Sequence, residues 1–299
     1  MIINRRKIWY LLSLVMLLFS LYGIFGIGLP LGLDFTGGNI AEIETNLNSD
    51  QITQKLTEGN IVGTVQASGE NQYIIKFSNP TELAESGGIP SQNILTDLFH
   101  EDVSVIKFDS IGPTVSQDLQ NKAVQALLIA IVGIIAYIAW AFKGASRQTS
   151  AWILGVIAVL ALVHDAVIVT GLFSVINHFT PLKLTIDTYF LTALLTIIGF
   201  SVNDTIVIFD RIREMLRKNA NLNVESATQK AVSSTMTRSL NTSFTVLIVI
   251  MAMLLLGGDS LLSFLFALML GVIVGTYSSI FIAAPLFVSW SNFQQHRRR

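Results

Sequence analysis

Long apolar stretches alternate with more polar segments along this chain. A helix that crosses a bilayer needs about 20 mostly apolar residues, and six stretches meet that requirement. They cover residues 8–28, 122–142, 151–173, 188–209, 239–257 and 261–288, and we call them spans one to six. The pattern predicts a polytopic α-helical membrane protein with six transmembrane helices, the first separated from the other five.

The segment between spans one and two, residues 29–121, has the pattern of a small folded domain. Strands are predicted at 39–46, 60–68, 71–78 and 103–111, with helices at 49–58 and 91–101 and a Pro- and Gly-containing loop at 79–90. The order β-α-β-β-α-β is that of the split βαβ, or ferredoxin-like, fold. The sequence therefore predicts an α+β ferredoxin-like domain over 29–121, preceded by a terminus and span over 1–28 and followed by five spans over 122–299.

Charge orients these segments relative to the membrane. Charged residues make up only 13% of the chain, against roughly 25% in soluble domains. Fourteen of the 19 basic residues fall at the two ends, between spans two and three, or between spans four and five, whereas 13 of the 20 acidic residues fall in 29–121. By the positive-inside rule, both termini and the loop 210–237 are predicted to be cytoplasmic, and 29–121 periplasmic. The charges of that loop indicate an amphipathic surface helix or a helical hairpin.

Composition excludes several classes of function. The net charge of −1 gives no bulk basicity for a nucleic-acid binder. The absence of cysteine rules out disulfides, thiolate metal sites and cysteine catalysis, and four scattered histidines do not suggest a metal centre. No catalytic motif of a known membrane enzyme is present, so we expect no enzyme activity, metal or other cofactor.

Ionisable residues inside apolar spans are the candidate functional residues, because a charge within a bilayer costs several kcal/mol. Span four contains Asp204, six residues before Asp210 and therefore roughly 9 Å from the inner boundary. Asp204 lies beside a stripe of polar and small residues on one helix face. The stripe consists of Thr188, Thr192, Thr196, Gly199, Asn203 and Asp210. We predict proton or ion transfer at Asp204; a carboxyl that merely joins helices is the alternative.

Two further polar sites lie in neighbouring spans. Span three carries His164 and Asp165, and counting from Ala151 places Asp165 roughly 21 Å into the helix, nearer the outer half. Span five begins near Arg238, at a depth similar to that of Asp204. Arg238 either extends to the lipid phosphates or pairs with Asp204, and such a pair would keep the carboxylate charged until it is broken. A structural hydrogen bond remains the alternative for Asp165 and is favoured for His164.

Glycines stand at both roots of the 29–121 domain. Gly37 and Gly38 precede its first strand, and Gly112 with Pro113 follows its last. Glycine allows backbone conformations that other residues rarely adopt. These positions are therefore either flexible joints or tight turns, with the tight turn favoured for Gly37 and Gly38.

Five ordered motifs together resemble the SecF family of bacterial protein-export membrane proteins, within the resistance–nodulation–division superfamily. They are Leu31-Gly-Leu-Asp-Phe-Thr-Gly-Gly38, Ile111-Gly-Pro-Thr-Val-Ser116, His164-Asp165, Gly199-Phe-Ser-Val-Asn-Asp-Thr-Ile-Val-Ile-Phe-Asp-Arg-Ile-Arg-Glu214 and Arg238-Ser-Leu-Asn-Thr-Ser243. Ser116 departs from the family pattern, where glycine is common.

The resemblance implies an accessory subunit of the Sec translocase in the bacterial inner membrane. It implies pairing with SecD, association with SecYEG, YajC and YidC, contact with the translocating preprotein, and use of the proton motive force in late export. It further implies that Asp204 is the proton-pathway aspartate of span four and that Arg238 is its charged partner in span five; Asp165 and Asn203 are added as candidates. The alternatives are a non-conducting scaffold of the translocon and half of a proton-driven exporter, although one small domain and six spans disfavour independent transport.

Overall fold

Six long helices form the membrane part of the protein, which we describe from a computed structural model. The structure describes residues 2–69, 71–77, 93–99, 103–142, 151–218, 222–256, 258 and 261–297. In these ranges six helices are long and apolar enough to cross a membrane, which confirms the predicted number of spans. Their helical segments are Arg6–Tyr22, Pro113–Ala141, Ala151–Phe179, Thr188–Lys218, Val224–Leu256 and Leu262–Ser278.

Two spans change helix type. Span one continues into a π-helical turn at Gly23–Ile27, and span six passes through another at Ser279–Ala283 before a last helix, Ala284–Arg297. In a π-helical turn the backbone bonds run to the fifth residue back instead of the fourth. Hydrophobic periodicity does not reveal such a one-residue insertion, so neither turn was predicted.

Several helices extend beyond their apolar stretches. Span two begins at Pro113, nine residues before the apolar run, and its first residue is proline, which is well suited to the first turn of a helix. The helix of span four continues to Lys218, and the helix of span five already begins at Val224. Of the two alternatives predicted for the loop 210–237, an amphipathic surface helix or a helical hairpin, the described residues fit the hairpin, whose arms are the ends of spans four and five.

The segment 38–111 folds as a four-stranded antiparallel sheet with two helices, which we call the sheet domain. Strands β1 (Gly38–Glu44), β2 (Gly63–Gly69), β3 (Gln72–Phe77) and β4 (Ser104–Ile111) lie in the order β2-β3-β1-β4. Helix Ser49–Glu58 follows β1 and helix Asn93–Phe99 precedes β4. This is the predicted ferredoxin-like order. The whole of the predicted loop 79–90, and the ends of the predicted helix 91–101, lie outside the described residues.

One face of the sheet packs against the two helices. Alternate residues of β1, Ala41 and Ile43, are fully buried, as expected where successive strand side chains point to opposite faces. They belong to one hydrophobic core with Ile52 of the first helix and Leu95 of the second. The first helix begins with a capping box in which Asn48 and Gln51 each bond the other's backbone N–H. Local capping and strand alternation thus agree, and the domain has a core of its own.

Close contact at small residues joins spans four and six. A Cβ atom added at Gly271 would lie 2.1 Å from Ile197, and one at Gly275 would lie 3.0 Å from Ser201. The GxxxG segment of span six therefore packs directly on span four, as such segments do in membrane helices. This contact brings the polar residues of the two spans together.

Candidate functional site

Asp204 lies among three spans and is partly buried. Ser239 of span five donates a hydrogen bond to its Oδ1, and Ser279 of span six donates one to its Oδ2. Each carboxylate oxygen thus has a hydroxyl donor from a different helix. Hydrogen bonds between membrane helices are worth ~0.6 kcal/mol each on average, so a change of charge at this carboxyl bears on how the three spans pack.

Arg238 and Asn203 point away from this carboxylate. Both are exposed on the chain surface, and neither side chain bonds to any described residue. The hypothesised ion pair between Asp204 and Arg238 is therefore absent from this conformation. Successive helix residues differ in direction by about 100°, and Ser239 faces Asp204, so Arg238 is turned to the surface.

Among the described residues, Asp165 is the most buried carboxylate of the membrane part, with 1% of its surface exposed. Ser201 of span four and Ser278 of span six donate to its Oδ2 at 2.6 Å and 2.7 Å. The Nδ1 atom of His164 lies 3.0 Å from its Oδ1, and the Nε2 atom of the same ring bonds to Ser13 of span one. Span three is thus tied to spans one, four and six through one carboxylate and one imidazole.

The two carboxylates belong to one network. Their serine partners on span six, Ser278 and Ser279, are consecutive residues. The two serines are therefore only about 1.5 Å apart along the helix axis. The depth count from the sequence placed Asp165 and Asp204 too far apart. It did so because residue counts from apolar boundaries leave out helical segments that extend past the apolar stretch, as span four does to Lys218.

The serines were the part of the site that sequence reasoning missed. Serine is common at helix contacts in membranes, so single serines in spans carry little signal. The signal that was available was the adjacent pair at 278 and 279 in an otherwise apolar run. The five hydroxyl partners are Ser13, Ser201, Ser239, Ser278 and Ser279.

The roots of the sheet domain form ordered turns. Gly37 and Gly38 have φ values of +77° and +141°, in the region that favours glycine. A Cβ atom at Gly38 would lie 2.7 Å from the carbonyl oxygen of Phe77, whereas Gly112 has ordinary φ and no atom within 4 Å of such a Cβ. Pro113 is the first residue of span two. The geometry at Gly37 and Gly38 is that of a tight turn; flexibility at any of the four positions stays a prediction.

Replacing Gly38 with alanine is expected to destabilise the start of β1. The strained backbone costs roughly 1–3 kcal/mol, and the steric contact with Phe77 adds to that cost. Gly112→Ala is the matched control and should leave stability unchanged. Limited proteolysis and hydrogen exchange of the sheet domain measure the difference; equal protection in the two variants would contradict a requirement for glycine at position 38.

A third connection ties the sheet domain to the membrane helices at the beginning of span four. The backbone N–H of Gly32 donates to the carbonyl of Ile186 at 2.8 Å, and the N–H of Ile186 donates to Pro30 at 2.7 Å. Asp34 accepts from the N–H of Thr188 at 2.9 Å. These bonds lie along one short stretch, so the glycine-rich root and the helix that carries Asp204 are joined directly.

A lysine and a second carboxylate complete that connection. Lys183 donates from Nζ to the carbonyl of Val65 in β2 at 2.9 Å. Asp187 accepts from the N–H of Phe190 at 2.9 Å. Burial raises the pKa of the Asp187 carboxyl, the bond from Phe190 opposes that rise, and the nearby Asp34 adds to it. A carboxylate at the start of a helix is favoured by the helix dipole, which accounts for acidic residues at this end of span four.

Two family models match most of the chain, and relatives match nearly all of it. The family described as "Protein export membrane protein SecD/SecF, C-terminal" matches residues 91–293, and the "SecD/SecF GG Motif" matches residues 22–46. A protein named "Protein translocase subunit SecF" from Anaerolinea thermophila is 35% identical over 97% of this chain and 94% of its own length. One of the same name from Haemophilus influenzae is 34% identical over 94% of this chain and 83% of its own length.

Solved structures of SecDF share the fold. SecDF from Thermus thermophilus, described as a translocon-associated membrane protein, superposes with a TM-score of 0.77 at 29% identity over 97% of this chain. A super-membrane-facing form of SecDF gives 0.72, also at 29% identity, over 99% of this chain. This chain spans 38% and 39% of those longer SecDF chains. The chain belongs to the SecD/SecF family of protein-export membrane proteins, on the SecF side of that family.

Proposed function

We propose that this protein is an accessory subunit of the bacterial Sec translocase that acts with SecD and uses the proton motive force to promote late steps of preprotein export. Relatives that match nearly its full length are named as translocase subunits, and SecDF is described as translocon-associated. Association with SecYEG, YajC, YidC and the preprotein belongs to the same proposal. So does an orientation in the inner membrane with both termini cytoplasmic and the sheet domain periplasmic, which the distribution of basic residues supports.

The observation that carries the proposal is a partly buried carboxylate next to an unpartnered polar surface. Asp204 is held by spans five and six, and the faces of spans four and five beside it are polar yet exposed. We call this surface the polar stripe. Its residues are Thr188, Thr192, Thr196, Gly199, Asn203 and Asp210 of span four, with Arg238, Asn241, Thr242 and Thr245 of span five.

Exposure of this stripe to lipid would be unfavourable. The threonine hydroxyls bond to carbonyls of their own helices, but Asn203, Asn241 and Arg238 have no partner among the described residues. Unpaired amides and charges in hydrocarbon cost several kcal/mol. A second membrane subunit that covers the stripe removes that cost, and the similarity to solved structures named SecDF supports SecD as that subunit.

The energetics suit a proton-driven cycle. A proton that moves inward through the membrane potential releases about 2.3 kcal/mol per 100 mV. That is comparable to several interhelical hydrogen bonds at ~0.6 kcal/mol each. Neutralising Asp204 changes its bonds to Ser239 and Ser279 and so shifts spans five and six relative to span four. Span four is bonded to the root of the sheet domain, which provides a route from the proton site to the domain.

A non-conducting scaffold is the second candidate. Both oxygens of Asp204 already accept a hydroxyl from another helix, which is what a purely structural carboxyl requires. The scaffold and the coupling proposals agree on assembly with SecD and differ only in whether export depends on protonation.

Reconstituted export tests the function. Vesicles with SecYEG, SecD and the ATP-driven motor are prepared with and without this protein, and the export rate of a slowly translocating preprotein is followed after ATP is removed. We expect the protein to accelerate export only while a proton gradient is imposed, and a protonophore to abolish the acceleration. Acceleration that persists with the protonophore favours the scaffold.

Assembly through the polar stripe is tested separately. Asn203→Phe places a bulky side chain on the stripe, and we expect about tenfold less SecD to be recovered with the tagged protein, equivalent to ~1.4 kcal/mol. Ile129→Phe on span two, where Ile129 is 72% exposed, is the matched control. Equal recovery of SecD with both variants would place the partner on another face.

A further inference from the structure

Span six holds two neighbouring serines at the point where its helix changes type. Ser278 is the last residue of the α-helical segment, and Ser279 is the first residue of the π-helical turn. Both are fully buried. π-helical turns within long helices frequently lie at functional sites, because they cost stability and shift the faces of the residues that follow.

The two serines contact different carboxylates on different spans. Ser278 donates to Asp165 of span three at 2.7 Å, and Ser279 donates to Asp204 of span four. Ser201, three residues before Asp204 on the same helix, also donates to Asp165. Asp165 and Asp204 do not contact each other, so their shortest connection runs through the backbone between two adjacent residues.

Each serine also has a second acceptor within reach. The hydroxyl of Ser278 lies 3.2 Å from the carbonyl of Gly275, and that of Ser279 lies 3.1 Å from the carbonyl of Thr276. A hydroxyl has one proton to donate, so it bonds well to the carboxylate or to its own helix, and only one of these bonds is optimal at a time. The carbonyl of Gly275 also accepts the backbone N–H of Ser279, which closes the last α-helical turn before the change of helix type.

We propose that Ser278 and Ser279 couple the protonation of Asp165 and Asp204 through the π-helical turn of span six. This inference deepens the proposed function, because it rests on proton exchange at Asp204. It makes the His164–Asp165 pair a second protonatable site and assigns the serines as positioning residues that act through the two carboxyls.

The proton balance of the switch is simple. A proton that arrives at Asp204 binds Oδ2, and the resulting carboxyl O–H donates to Oγ of Ser279. The Ser279 hydroxyl then rotates and donates its hydrogen bond to the carbonyl of Thr276, and no O–H bond breaks. Serine hydroxyls that bond back to their own helix bend it, so the local geometry of span six depends on whether Asp204 is protonated. The same exchange at Ser278 makes that geometry depend on Asp165.

Few titratable groups face this network. His164 contacts Asp165 from the same span, and its ring bonds to Ser13 of span one. Tyr277 of span six donates to the carbonyl of Trp9, and Tyr10 of span one bonds to Ser289, so both tyrosines are engaged elsewhere. Arg238 of span five is exposed. Among the described residues, no other charged group contacts both carboxyls, so none offers a second path for coupling between them.

Infrared difference spectroscopy of the purified protein tests the coupling without relying on export. The carboxyl bands of Asp165 and Asp204, identified by their loss in Asp165→Asn and Asp204→Asn, are titrated in wild type and variants. We expect Asp165→Asn to shift the pH midpoint of the Asp204 band by roughly half a unit or more, about a threefold change in proton affinity. In a Ser278→Ala or a Ser279→Ala background the shift should disappear, which makes the comparison a double-mutant cycle.

Two further variants separate coupling from packing. Ser291→Ala removes another buried serine of the last helix, one that contacts neither carboxyl, and it should retain the full shift. Ser278→Thr keeps the hydroxyl and should retain the shift as well. A shift of the same size in the alanine backgrounds would overturn the serine coupling in favour of direct electrostatics. No shift in wild type would overturn coupling altogether. Neither result touches the export experiments, so the inference and the proposed function fail separately.

Discussion

Replacing Asp204 with asparagine is expected to abolish proton-driven stimulation of export while leaving assembly with SecD intact. Asparagine has nearly the same shape and still accepts hydrogen bonds from Ser239 or Ser279 through its amide oxygen, but it does not ionise. The export rate of a slowly translocating preprotein with an imposed proton gradient, normalised to the SecD recovered, should fall to the rate without this protein.

Asp50→Asn is the matched control for that experiment. Asp50 lies on the first helix of the sheet domain, outside the polar stripe, and is exposed, so its replacement should leave the stimulation unchanged. Normal assembly together with normal stimulation in Asp204→Asn would refute proton coupling at this residue and leave the scaffold. Failed assembly would show that the serine contacts to the carboxylate hold the bundle together, and Asp204→Glu would then separate charge from packing.

Replacing Gly171 with valine is expected to prevent spans one and three from packing. A Cβ atom at Gly171 would lie 2.3 Å from the carbonyl oxygen of Ser20 and 2.4 Å from its Cα. These are backbone atoms, so the contact is relieved only if the helices move apart. Overpacking of this kind typically costs 1–3 kcal/mol, occasionally more.

Thermal unfolding in detergent measures this effect. At roughly 2–4 °C per kcal/mol for a chain of this order of size, we expect the unfolding temperature to fall by roughly 6–12 °C if the cost reaches ~3 kcal/mol. Gly133→Val is the matched control, because Gly133 lies on the exposed face of span two with no atom within 4 Å of an added Cβ. Equal unfolding temperatures would show that spans one and three tolerate a wider separation than the structure implies.

The same substitution links packing to the polar network. Ser13 of span one bonds to His164 of span three, on the helix pair that meets at Gly171. Moving span one away removes this partner from the imidazole, which in turn contacts Asp165. We therefore expect any residual folded Gly171→Val protein to show an altered titration of the Asp165 carboxyl band.

Much of the architecture was predictable because its causes are local in the sequence. A run of about 20 apolar residues has to satisfy its backbone hydrogen bonds internally in a membrane, so it forms a helix. Apolar and polar residues alternate along β2 and β3, and a turn joins the two strands, so their antiparallel pairing was predictable as well. The order of strands and helices in 29–121 limits the sheet to few arrangements. The positions of Asp165 and Asp204 within apolar spans were also enough to mark them as candidate functional residues.

The contacts of the site depended on how the spans pack. Whether Asp204 meets Arg238 or Ser239 is decided by the rotation of span five, and residues one position apart face directions about 100° apart. The π-helical turn that presents Ser278 and Ser279 to two carboxylates is a one-residue change in backbone bonding, and no apolar pattern records it. Sequence thus determined which segments are helices and strands and which charges are costly in a membrane. Tertiary structure alone decided which groups meet those charges, because helix rotation, tilt and close packing are set by many distant contacts at once.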